Sequence, residues 1–213
     1  MSYDHILLPS GAATTPAEVD AYLTTQQGQP QSEIVADIAA EVNRRNDELP
    51  EEDTFLGSGP VGGAATGSVL QVSSPYDAIG FVRELLFRLA TPRNYAVYDP
   101  QLTWLMDPAG HVPVSVSHGG AGEFPYLTKP LADRWVAELT GPNPYLVVSR
   151  GDQEYIQTYH EEPHYILEYR DGSAERHFTT TVDDSARVAE LIWAWTAGDA
   201  ATLDDVAWTR LKI

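Results

Sequence analysis

Five consecutive residues, His160-Glu161-Glu162-Pro163-His164, carry the most pointed chemical suggestion in the chain. They spell H-E-x-x-H, the zinc signature of a large class of metallopeptidases. On a helix, residues i and i+4 share a face, so two imidazoles reach one ion at about 2.0–2.1 Å. The Glu between them then acts as general base on the metal-bound water. Here the fourth letter is proline. In a helix interior its ring would collide with the carbonyl of Tyr159, and it offers that carbonyl no N–H, at a cost of roughly 3 kcal/mol. It also drives Glu162 away from helical backbone. The flanks, Glu154–Tyr159 (EYIQTY) and Tyr165–Tyr169 (YILEY), are rich in Tyr, Ile and Leu and read as strands. HEEPH is therefore expected at a β-hairpin turn. That sets the peptidase reading aside but leaves room for a two-histidine surface site.

The other reactive side chains form no recognised constellation. The remaining histidines, 5, 111, 118 and 177, are scattered, and His111 and His118 fall in a Gly-rich stretch that suggests exposure. Glu161 and Glu162 are adjacent, yet at a hairpin tip water keeps both ionised, whereas a general acid needs a buried, perturbed carboxyl. Residues 57–67 (GSGPVGGAATG) begin like a dinucleotide fingerprint. They contain Pro60, lack a strong strand before them and precede a strand instead of a helix, so they read as a flexible loop. There is no G-x-S-x-G elbow. With no cysteine in the chain, disulfides, thiolate metal sites and a Cys nucleophile are excluded. No cofactor and no metal is expected.

The composition, 43% hydrophobic and 21% charged over 213 residues, suits a folded protein and not a disordered one. No apolar run approaches the roughly 18 residues of a membrane span, and the N-terminus lacks a basic, signal-like region. A cytoplasmic location is expected. The formal net charge is −18, shared between residues 1–110 (15 acids, 5 bases) and residues 111–213 (16 acids, 8 bases). So acidic a surface repels nucleic-acid phosphates and steers basic proteins toward it.

Helical and strand periodicities give the organisation. A strand at Tyr3–Leu8 precedes a helix opened by Thr15-Pro16-Ala17-Glu18, a capping box with proline at the first helical position. Ser32 caps a second helix with Ile34, Val35, Ile38, Ala39 and Val42 at helical spacing, which runs into the acidic cluster Asp47, Glu48, Glu51, Glu52, Asp53. After a strand at residues 68–72, Ser74-Pro75 opens a third helix with the stripe Ile79, Val82, Leu85, Leu86, Leu89. YAVY (95–98) and TWLM (103–106) read as strands. Residues 111–127, dense in Gly and Pro, read as a linker. Beyond it come a helix at 129–139, strands at 145–149, 154–159, 165–169 and 176–182, a helix capped by Asp183 or Asp184, and a final strand within 208–213. The expected fold class is α+β, as two small α/β-sandwich-like modules at 1–110 and 128–213. The second is an antiparallel meander packed by one helix.

The candidate contact residues are the acidic cluster, for a basic partner, and Tyr155, Tyr159 and Tyr165, with Tyr169, as an aromatic sheet face.

Two stretches carry a resemblance. SYDHILLP, TPAEVDAYL and NYAVYDPQ resemble the N-terminal half of small bacterial proteins. EYIQT, YILEYRDGSAERHFTTTVDD and WAWTAGD resemble a module common in actinobacterial proteins that is similar to immunity proteins of polymorphic toxin systems. The resemblance implies an α+β binding protein that occludes a cognate toxin, and it transfers no catalytic residue. The alternatives are a small hydrolase or metal-dependent enzyme, and an adaptor of a secretion or phage-like system.

Overall fold

Alternating bulky residues after the N-terminus start the first sheet. The computed structural model describes residues 2–211. The chain forms two compact units, one ending at Ala109 and one beginning at Gly110.

The first unit runs β1 (Tyr3–Pro9), α1 (Pro16–Gln26), α2 (Glu33–Asp47), β2 (Leu70–Ser74), α3 (Ile79–Ala90), β3 (Tyr95–Asp99) and β4 (Trp104–Met106). Among the described residues its sheet is antiparallel in the order β2-β1-β3-β4. The expected caps are present. Thr15 Oγ1 accepts from Glu18 N at the start of α1, and Ser32 Oγ accepts from Val35 N at the start of α2. Glu18 reaches back to Thr14 N and Oγ1 (2.7 and 2.6 Å), so the capping box closes one residue earlier than its usual partner. A 3-10 turn at Tyr76–Ala78 leads into α3. Val19 of α1, with Tyr22 and Leu23, packs on Ile6, Leu8, Ala96 and Tyr98. The opposite sheet face meets α3, and every residue of β3 is buried. The loop over residues 57–67 is tied down: Val61 exchanges two hydrogen bonds with the Asn43 side chain (2.8 and 2.9 Å), and Gly63 N and Ser68 N donate to Gln31 and Gln26.

The second unit runs β5 (Val112–His118), β6 (Gly122–Leu127), α4 (Lys129–Ala137), β7 (Tyr145–Gly151), β8 (Glu154–Glu161), β9 (His164–Asp171), β10 (His177–Val182), α5 (Ser185–Ala197), α6 (Ala200–Asp204) and β11 (Thr209–Arg210). Its antiparallel sheet has the described order β11-β10-β9-β8-β7-β5-β6. Residues 212–213 of the expected last strand lie outside the described residues.

Two expectations are corrected here. Residues 111–127 are not a linker: β5 and β6 form a hairpin, and β5 pairs with β7. The glycines make its turn. A Cβ on Gly119 would lie 2.0 Å from Asn143 O, so only glycine allows that approach. Pro125 sits on the edge strand β6, where a missing N–H is tolerated. Second, the meander is packed by two helices. Trp135 of α4 lies against Phe124 of β6 (4.6 Å between centroids), and α5 buries Val188, Leu191, Ile192 and Trp195. Asp184 caps α5, and Gly198 ends it at φ 82°. The guanidinium of Arg150 closes that C-terminus, donating to Trp195 O and Thr196 O while lying 4.5 Å from the Trp195 ring centroid.

Candidate functional site

The chemical candidate of the sequence is the hairpin tip between β8 and β9. Glu161 pairs with His164 and His160 pairs with Tyr165, so Glu162-Pro163 form the turn, as the proline dictates. Cross-strand partners share a sheet face and neighbours alternate. His160 and His164 therefore point to opposite faces and cannot meet at one ion. His160 donates from Nδ1 to Leu139 O (2.7 Å) and stacks on Tyr165 at 4.3 Å, with 9° between the planes. His164 Nδ1 lies 2.7 Å from Asp183 Oδ1 on the exposed side. Among the described residues, no three His, Asp or Glu side chains converge as a metal-binding group.

The same parity corrects the aromatic face. Tyr155 and Tyr159 lie on the side that no helix of the unit covers. Tyr165 and Tyr169 lie on the helix side, because a two-residue turn puts odd residues of β8 opposite even residues of β9. Tyr159 is 47% exposed, whereas Tyr165 is 6% exposed and is withdrawn as a contact residue. The two linker histidines are corrected as well. His118 is buried, with Nδ1 accepting from Gly120 N (3.1 Å), and the half-buried His111 lies 5.1 Å from the Tyr126 ring.

The helix-free face of the second sheet carries a polar array that the sequence reading missed. Arg170 Nη2 lies 3.2 Å from His177 Nδ1. A guanidinium can only donate, so Nδ1 accepts and the proton sits on Nε2, 3.4 Å from Glu168 Oε2. Gln157 donates to the same carboxylate oxygen (2.8 Å), and Arg170 Nη1 donates to Gln153 Oε1 (2.6 Å). Arg170 also lies 5.6 Å from the Tyr155 ring centroid. Each member is engaged by another, which is the pattern of a positioned surface and not of a free nucleophile and base.

The first unit holds one charged cluster inside. Tyr3 donates to Asp99 Oδ2 (2.5 Å), Arg83 pairs with the same oxygen (3.5 Å), and Asp99 Oδ1 accepts from Gln101 N and Leu102 N (3.1 and 3.0 Å). Asp99 thus closes the YDPQ turn and binds it to α3. Beside it, His5 is 0% exposed, and neither ring nitrogen has a hydrogen-bond partner among the described residues. Burial pushes its imidazole down to about 4, against the opposing pull of Asp99. Burial, reinforced by Asp99, pushes the Tyr3 phenol up. Locked away from solvent, this cluster serves the fold.

The acidic segment is the ordered, exposed feature of that unit. It leaves the C-terminus of α2, turns through a 3-10 helix at Glu51–Asp53, and is pinned where Asn46 Oδ1 accepts from Phe55 N and Leu56 N (both 3.0 Å). The Phe55 ring is buried. Glu48 pairs with Arg44. Asp47, Glu51, Glu52 and Asp53 are exposed and make no ion pair with the described residues. Asp47 and Glu48, at the negative end of the α2 dipole, oppose helix stability, an effect that falls off beyond the last turn and so leaves Glu51, Glu52 and Asp53 outside it.

The fold and these surfaces define an α+β protein with two antiparallel sheets, an anchored acidic loop and a half-covered sheet. No helix is long and apolar enough to cross a membrane among the described residues. In comparisons with protein-family models, curated proteins and solved structures, nothing matches the chain.

Proposed function

We propose that the chain is an immunity-type binding protein that occludes a cognate, basic toxin domain and acts from the cytoplasm. The observation that carries this reading is the acidic loop: Asp47, Glu51, Glu52 and Asp53 are exposed in an ordered segment and make no ion pair among the described residues, while the neighbouring Arg44 and Arg45 pair with Glu41 and Glu48. Carboxylates placed so are free to pair with a partner's Lys and Arg, and the net charge of −18 raises the encounter rate. Tyr155 and Tyr159, on the helix-free sheet face, supply amphipathic contact area.

The test is binding to the purified product of a toxin-like reading frame adjacent to this one. The expected result is nanomolar affinity at low salt that weakens steeply as salt rises. Absence of binding at low salt contradicts the proposal.

A further inference from the structure

The described residues leave three buried polar atoms at one end of the first sheet without hydrogen bonds: both ring nitrogens of His5 and Oγ of Ser74. Both side chains are 0% exposed. His5 lies on the face of β1 opposite Ile6 and Leu8, the face that meets α3. Register puts it across from Val72 of β2, with Ser74 diagonal to it on the same face. Continuing the pairing of Ile6 with Tyr98 by one residue brings His5 level with Asp99 of β3.

Asp99 has no capacity left for a further donor. A carboxylate offers about four lone-pair sites. Those of Asp99 face Tyr3 Oη and Arg83 Nη2 at Oδ2, and Gln101 N and Leu102 N at Oδ1. A neutral imidazole is tolerated in this place. An imidazolium brings two N–H donors and a charge, and of the atoms around it only Ser74 Oγ is open to accept. The charged groups that reach the ring are Asp99 of β3, Arg83 of α3 and Asp4 of β1, and the Tyr3 ring lies 5.2 Å from it between centroids. β2 (LQVSS) contributes no titratable side chain. Burial keeps the ring neutral and outweighs the pull of Asp99 and Asp4. To take up a proton, His5 must displace a donor from Asp99 or leave its place.

Its position makes leaving the easier course. Tyr3, Ser74 and Asp99 are the end residues of β1, β2 and β3, all at one end of the sheet, where fraying breaks few ladder bonds. By contrast, α1 and α2 bury only Val19, Val35, Ile38, Ala39 and Val42. We infer that His5 is a proton-operated latch: its neutral ring holds this end of the sheet against α3, and proton uptake lets the start of β1, the end of β2 and the turn after Asp99 open together while α2 stays packed.

The test is amide hydrogen exchange of the full chain, read by NMR between pH 7 and pH 4 and corrected for intrinsic exchange rates. Opening frees the ring to titrate at 6.5, against about 4 when closed, so each pH unit in that window should raise the open population about tenfold. The expected result is that Gln101 and Leu102, whose amides rest on Asp99, are less protected than Ile38 and Val42 of α2 throughout, and lose protection about tenfold per pH unit below 6.5. In His5→Asn, which takes up no proton, their protection should stay level. Protection at Gln101 and Leu102 equal to that of α2 would mean that this end opens only when the whole unit unfolds. A fall that persists in folded His5→Asn would place the proton elsewhere. Either result, or no fall in wild type, overturns the inference. If His5→Asn does not fold, the carbon-13 shift of the wild-type His5 ring decides. A ring already protonated at pH 6 in the closed form overturns the latch, and a neutral ring with the stated loss of protection supports it.

Discussion

The two sheets of this chain place their polar clusters at different depths: the Arg83–Asp99 pair is fully buried, and the Glu168–Arg170–His177 array is partly solvated. In the first unit the sheet is packed on both faces, β3 is buried along its whole length, and Tyr3, His5, Arg83 and Asp99 lie inside. In the second unit β8 alternates between a buried and an open side, with the half-buried Arg170 and Glu168 on the open one, over a buried His177. A buried ion pair ties elements together and is unreachable; of Glu168, Arg170 and His177, only the first two keep partial contact with solvent. In each unit the reactive side chains fall on the side that makes them structural or positioned. The anchored acidic loop lies outside both arrangements, exposed and without an ion pair except at Glu48 among the described residues.

The comparison breaks most visibly through the buried pair. Asp99→Asn removes the carboxylate that Tyr3 and Arg83 share in the interior and should cost about 3–5 kcal/mol in urea unfolding. Glu168→Gln, at a partly solvated site, should cost no more than about 1 kcal/mol. Similar losses in both variants would mean that the two faces do not differ as described. Next comes pH. His5 has a folded value of about 4, below its unfolded value of 6.5, so the folded state binds fewer protons in between. Stability is therefore full above pH 6.5 and lost as pH falls toward 4, by about 3 kcal/mol at most from this group. His5→Asn should flatten that part of the stability profile in pH-dependent unfolding, and an unchanged slope contradicts the assignment. Smaller still, Gly80→Ala should raise the melting temperature through a gain of up to about 1 kcal/mol in α3. Smallest is His164→Ala at the exposed hairpin tip, expected within about 0.5 kcal/mol of wild type.

What was legible in the sequence was local. The HEEPH turn followed from one proline, and the caps at Thr15, Ser32 and Asp184 followed from residue type and spacing. The α+β class followed from the order of periodicities. The β5–β6 hairpin was missed because its Gly and Pro content imitates a linker. The alternation of Val112, Val114, Val116 and His118 was there to be weighed, but pairing with β7 decided it. The placement of Tyr165 was within reach, since a two-residue turn fixes opposite parity on its two strands. The cluster of Tyr3, Arg83 and Asp99 was not, because nothing local pairs residues 96 positions apart.

The central claim is that this protein acts by presenting unpaired carboxylates to a basic partner. The most direct test is the affinity of a Glu51→Gln, Glu52→Gln, Asp53→Asn variant for the adjacent toxin domain at low salt. The account predicts an unchanged melting temperature and binding at least about tenfold weaker, chiefly through slower association. Wild-type affinity and association rate in that variant would contradict it.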